Sequence, residues 1–136
     1  MKTEECQITC LIIDSDDDYI GAGLKSGQIT LYKRELLFGE FCLKKFRHHT
    51  KQINDIVFIK REHISLFIAI GSDTLLSVTS LDEMTLIFKL DLGKYPLRNV
   101  SLINGRDQIL VSTFVEKKIF KIYFNWFDIP KKNRDN

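Results

Sequence analysis

The sequence predicts an all-β chain built from about three four-stranded antiparallel units, and three observations carry that prediction. Apolar residues recur with an i, i+3, i+5 spacing at Ile8, Leu11 and Ile13, at Ile53, Ile56 and Phe58, and at Leu97, Val100 and Leu102. Successive copies therefore begin 45 and then 44 residues apart. Within the middle copy, short runs rich in β-branched and aromatic residues are separated by turn residues, which is the pattern of strands. Four such runs follow one another before the next copy starts, which makes each copy a meander.

In chain order, Gln7 to Ile13 is the first strand, with Cys10 opposite in parity to Leu11 and Ile13. The acidic run Asp14-Ser15-Asp16-Asp17-Asp18 follows it. A calcium loop needs oxygen ligands at alternating positions, glycine at the sixth place and glutamate at the twelfth. Asp14, Asp16 and Asp18 match the start, but Tyr19 takes the glycine place and Lys25 the glutamate place. The run therefore reads as a solvated hairpin turn whose short side chains bond their own backbone. Tyr19 to Gly23 gives the second strand and Gln28 to Lys33 the third. Gly21, Gly23 and Gly27 fit no nucleotide-binding fingerprint and precede no helical pattern, so they read as turn residues and as sites of close backbone approach. Glu35 to Gly39 leads to a fourth strand, Glu40 to Phe46, whose Lys44 and Lys45 suit a solvated outer edge.

The middle copy repeats the scheme. Gln52 to Ile59 places Ile56 and Phe58 on one strand face. Leu66 to Ile70 is an unbroken apolar run of strand length, Gly71-Ser72-Asp73 supplies turn chemistry, and Leu75 to Val78 and Thr85 to Leu90 complete the unit before Asp91-Leu92-Gly93. In the third and most divergent copy, Gln108 to Phe114 and Ile119 to Phe124 alternate, with Trp126 and Phe127 beyond them as core or contact aromatics. Residues 128–136 are polar and aperiodic and read as a frayed tail. The organisation is a lead at 1–6, blades at 7–51, 52–96 and 97–127, and the tail at 128–136.

Self-similarity at this period, with four strands per copy, belongs to propeller blades. On that pattern the chain resembles the WD40-repeat β-propeller family over roughly residues 7–127. His49-Thr50 stands where the family has Gly-His-(Thr/Ser), with His48 in place of the glycine, and Ala69-Ile70-Gly71-Ser72-Asp73 matches the small-residue strand and its aspartate-bearing turn. The Trp-Asp pair is missing: its place falls at Thr79-Ser80, at Tyr32-Lys33 and near Tyr123-Phe124. The resemblance implies a structural hydrogen bond between His49 and Asp73 that ties the blade. It also implies partner binding at one face through Asp14 to Asp18, Phe46 to Lys51 and Gly71 to Thr74, with Asp16, Asp17, Arg47 and His48 as candidate partner-binding residues. A phosphoinositide-binding propeller subfamily carries Phe-Arg-Arg-Gly where this chain has Phe46-Arg47-His48-His49, which sets a membrane-traffic role as the alternative.

Composition narrows the function classes. With 44% hydrophobic and 28% charged residues the chain can form a globular core. A net charge of +2 is too small to call for nucleic acid or an anionic membrane. Cys6, Cys10 and Cys42 are odd in number and lack metal or redox spacing, and Met1 to Cys6 has no apolar leader core, so an intracellular location, cytoplasm or nucleus, is expected. Adjacent His48 and His49 point to opposite faces of an extended chain and cannot easily share one ion. No nucleophile, base or acid pair stands at catalytic spacing. The expectation is a non-catalytic interaction scaffold without cofactor or metal. Three blades cannot close a ring, since propellers use four or more, so the chain is expected to be a piece of a longer propeller or to complete a ring with another chain, ahead of curling into a compact open stack of sheets.

Overall fold

The computed structural model describes residues 7–14, 19–33, 43–61, 64–103, 108–115 and 118–123. Among them run eleven strands in three antiparallel sheets. The first sheet holds β1 (Ile8–Asp14), β2 (Tyr19–Leu24), β3 (Ile29–Lys33) and β4 (Lys44–Phe46), in that order. The second holds β5 (Ile53–Arg61), β6 (Ile64–Gly71), β7 (Leu75–Ser80) and β8 (Thr85–Asp91). The third holds β9 (Leu97–Ile103), β10 (Gln108–Thr113) and β11 (Ile119–Tyr123). Each pairs only within its own unit, as a meander does. Of the strand expected over Glu40 to Phe46, Glu40 to Cys42 lie outside the described residues, Leu43 is a bend whose N–H bonds the Leu31 carbonyl at 2.7 Å, and Lys44 to Phe46 form β4. Trp126, Phe127 and the tail lie outside the described residues.

A β-bulge explains the i, i+3, i+5 spacing. In a regular strand, residues three apart face opposite sides. The register of β1 skips Thr9, that of β5 skips Asn54 and that of β9 skips Arg98. One extra residue in the first strand of each sheet restores Ile53 to the same side as Ile56 and Phe58, and Leu97 to the side of Val100 and Leu102.

Two cores lie between the sheets. The rear of the first sheet (Ile12, Ile29, Leu31, Phe46) meets the front of the second (Ile53, Ile56, Phe58, Phe67, Ala69). The rear of the second (Ile59, Leu66, Ile68, Ile70, Leu76, Val78) meets the front of the third (Leu97, Val100, Ile109, Val111, Phe120, Ile122). Phe67 sits edge-on to both Phe46 and Phe58, at centroid distances of 5.2 and 6.3 Å, the geometry that aromatic quadrupoles favour. Asp55 adds a polar tie, accepting hydrogen bonds from Val100 N at 2.9 Å and Asn99 Nδ2 at 3.4 Å in the next sheet.

Gly21 and Gly23 lie on the rear of β2, where β5 crosses. A methyl at Gly23 would stand 2.5 Å from Ile53 Cγ2 and 2.7 Å from Cys10 Sγ, whereas at Gly21 the nearest atoms lie at 3.3 and 3.4 Å. Gly23→Ala is expected to cost about 1–3 kcal/mol by overpacking. Gly21→Ala should cost clearly less, an order that thermal unfolding of the two variants followed by circular dichroism will check.

Candidate functional site

The crossover from β4 to β5, residues 47–52, and the β6–β7 turn, residues 72–74, meet at one end of the second sheet. Ser72 N donates to the Gln52 carbonyl at 2.9 Å, which pins the crossover on the turn. Into this junction His49 inserts a fully buried ring. Its Nδ1 lies 3.1 and 3.2 Å from the two Asp73 carboxylate oxygens, and its Nε2 lies 2.9 Å from Ser77 Oγ. Asp73 also accepts from Thr50 N at 2.9 Å and Leu75 N at 3.2 Å. One carboxylate thus holds the crossover, the imidazole and the start of β7 together.

The environment sets the charge state of the ring. Burial lowers the His49 pKa below its ordinary 6.5, with the bond to Asp73 opposing the shift and Lys89 assisting it. A neutral imidazole with the proton on Nδ1 donates to Asp73 and accepts the Ser77 hydroxyl proton on Nε2, which satisfies every group. Close packing enforces the arrangement. At Gly71 a methyl would approach Asp73 Oδ1 to 2.8 Å and the Gln52 carbonyl to 2.9 Å. Gly27, in the β2–β3 turn with φ of +98°, lies under the same crossover, where a methyl would collide with the His49 carbonyl. Thr74 holds the corresponding left-handed position of the β6–β7 turn at φ +68° and donates its hydroxyl to Asp91 Oδ1 at 2.9 Å. Gly93 N–H first, and that hydroxyl second, hold the Asp91 carboxyl below its usual range.

The structure brings His49 and Asp73 into direct contact and places Arg47 and His48 beside them. Arg47 is exposed. His48 instead tilts its ring onto Phe46, with centroids 5.8 Å apart, while its carbonyl accepts from Lys89 Nζ at 3.2 Å. Burial, then His49, Lys89 and Lys44, lower its pKa. Asp16 and Asp17 lie outside the described residues. The residues that bracket them, Asp14 and Tyr19, pair with each other at the far end of β1 and β2, whereas Lys25 N bonds the Gln7 carbonyl at the near end. Seven strand residues, about 20 Å, separate those ends. Asp14 and Tyr19 therefore do not share an end with the Phe46 to Lys51 and Gly71 to Thr74 loops, contrary to the single face expected.

Sequence reasoning missed Ser77, Thr9, Asn54, Asp55 and Arg98. Ser77 sits two residues before the place where the resemblance put a tryptophan; a small polar residue in a strand gives no signal on its own. A bulge was implicit in the i, i+3, i+5 spacing, because two residues lie between the first two apolar positions where a regular strand allows one; the pairing register identifies the extra one as Thr9, Asn54 and Arg98. Burial pushes the half-buried Cys10 thiol up to about 11, which disfavours the thiolate at neutral pH. Among the described residues no group of three His, Cys, Asp or Glu side chains converges as a metal set.

No protein-family model matches the sequence, and no curated protein matches it. Solved structures match in shape. The β-propeller domain of Myceliophteria thermophila Cps50 (Swd1) superposes with a TM-score of 0.67 at 14% identity, over 88% of this chain and 40% of that one. The fold is that of propeller blades. U3-55K superposes with a TM-score of 0.61 at 18% identity, over 85% of this chain and 37% of its own. The chain thus spans about two fifths of the length of the solved chains it matches.

The depressed pKa fixes a sign for pH dependence. Above the ordinary 6.5 both folded and unfolded histidines are neutral and the full stability is present. As pH falls through 6.5 the unfolded chain binds the proton first, so stability declines until the folded pKa is passed. His49→Ala is expected to lose about 1–3 kcal/mol at pH 7.5 by stranding Asp73 and Ser77. It should also flatten the decline below pH 6.5, leaving the share due to His48; urea unfolding across a pH series measures both.

Proposed function

We propose that this chain is a non-catalytic protein-interaction module, one arc of a larger propeller or multi-protein assembly. The observation that carries this reading is the front of β1. Ile8, Leu11 and Ile13 hold the repeat positions that Ile53, Ile56 and Phe58 hold in β5, where they are packed against the preceding sheet. On β1 the three are 56%, 60% and 52% exposed. The exposure belongs to the first strand, since Ile20, Ala22 and Leu24 beside it on β2 are buried. Three apolar side chains exposed on one side of β1 form a patch that soluble chains keep for contacts, and blades gain stability from their neighbours.

The propeller likeness supports the same role, because this chain covers only about two fifths of the matched chains' length. The His49–Asp73–Ser77 cluster acts in this reading as a blade tie. Its ring is fully buried and its polar atoms are all engaged inside the protein, so it has no reach toward a substrate.

Sedimentation of the chain at about 100 μM, where contacts of this size are populated, tests the reading. Wild type is expected to associate, and Leu11→Glu/Ile13→Glu to sediment as a more soluble monomer with an unchanged unfolding midpoint at high dilution. A folded wild type that stays monomeric, with solubility equal to that of the double variant, would overturn it.

A further inference from the structure

The crossover from β4 to β5 carries a charge imbalance that the chain as a whole does not. Residues 44–51, Lys-Lys-Phe-Arg-His-His-Thr-Lys, hold four of the 20 lysines and arginines and no acid, in a chain whose net charge is only +2. The fold gathers part of that charge at the outer mouth of the interface between the first two sheets. Phe46 faces that interface, and Lys44, two residues before it on β4, faces the same way. The Lys44 Nζ lies 5.7 Å from the Phe46 ring centroid, and the His48 ring rests on the same phenyl at 5.8 Å. Lys89 reaches in from the other side. It pairs with Ser77, itself paired with Ala69 of the front face, and donates its Nζ to the His48 carbonyl at 3.2 Å. Arg47 and Lys51 are exposed on the crossover beside them.

No carboxylate answers these cations. Asp73 is buried and already accepts from His49, Thr50 N and Leu75 N. Asp91 accepts from the Thr74 hydroxyl and from Gly93 N. Among the described residues, none of Lys44, Arg47, Lys51 and Lys89 has an acidic partner. The charges act on one another instead: burial first, then His49, Lys89 and Lys44, all push the His48 pKa the same way, down. His48 Nε2 is closed off from solvent with no hydrogen-bond partner among the described residues. Like charges held together without an acid repel in the free chain and attract an anion from outside it. Resting on the interaction-module reading above, we propose that this mouth binds an acidic segment of a partner protein, with carboxylates seated between Lys44 and Lys89 and beside Arg47.

Two features favour an extended acidic segment. The cations are distributed over the run from Lys44 to Lys51, up to about 20 Å of extended chain, which several carboxylates on one strand can follow and a single phosphate cannot. A chain with so small a net charge also lacks the broad positive field that draws in nucleic acid or an anionic bilayer.

Fluorescence anisotropy of a labelled ten-residue glutamate peptide, titrated with the full chain, tests this. Wild type is expected to bind with a dissociation constant below about 100 μM at low salt, weakening as salt screens the contact. Lys44→Glu/Lys89→Glu should raise that constant at least about tenfold. Lys118→Glu/Lys121→Glu changes the net charge by the same amount at β11 and should stay within about twofold of wild type. Circular-dichroism melts of the three proteins show that the fold is intact. Equal loss in both double variants, no binding by wild type, or tighter binding to an oligothymidylate or to phosphatidylserine/phosphatidylcholine vesicles than to the peptide would overturn the acidic-segment assignment. A chain that binds no peptide yet still associates through β1 refutes this inference and leaves the module reading intact. A folded chain that does neither removes both.

Discussion

The extra residue in the first strand of each sheet is the constraint on which this architecture depends. Without it, the apolar side chains of β5 and β9 would divide between the two faces, because a strand alternates strictly. With it, Ile53 joins Ile56 and Phe58 against the first sheet, and Leu97 joins Val100 and Leu102 against the second. The same irregularity frees the side chain of the bulged residue from ladder geometry, and Thr9 and Asn54 use that freedom to bond the following strand. One device therefore sets face, register and blade-to-blade contact together.

Polar ties are concentrated at one end of the second sheet. There the crossover, the tight turn and β7 all converge on the Asp73 carboxylate, with His49 and Ser77 completing a chain of hydrogen bonds away from solvent. Such a network is costly if any member is missing, since the remaining buried groups lose their partners. The backbone adapts to it: glycine is needed at Gly71 and Gly27 because the crossover lies against them. Further down the same strand, Thr79 occupies the place of the tryptophan of the resembled family, and its buried hydroxyl has no hydrogen-bond partner among the described residues. Packing of Phe46, Phe58 and Phe67 supplies the apolar mass of this interface.

A stacked array of sheets has a consequence that a closed core does not. Interior sheets are covered on both sides, whereas in the first sheet the front of β1 stands open although Ile20, Ala22 and Leu24 beside it on β2 are buried. The two internal interfaces share one plan: an apolar rear face, a bulged front strand and one side-chain-to-carbonyl bond between them. The buried, fully engaged histidine cluster adds rigidity to the blade between those two interfaces.

The sequence by itself determined the all-β class, the period of the repeat and most strand positions, because alternation, turn residues and fixed spacing are local properties of the chain; the contact of His49 with Asp73 was implied by the family resemblance and not by any local pattern. The short β4 and the separation of Asp14 from the His49 end were decided by tertiary structure, since pairing register places loops in space and spacing along the chain does not. The same holds for the exposure of Ile8, Leu11 and Ile13. Their pattern is identical to that of buried residues in the later copies, and only the presence or absence of a sheet in front of them distinguishes core from surface. Ser77 and the bulge donors were likewise invisible as functional groups, because a hydroxyl or an amide gains its meaning from the atom across the interface.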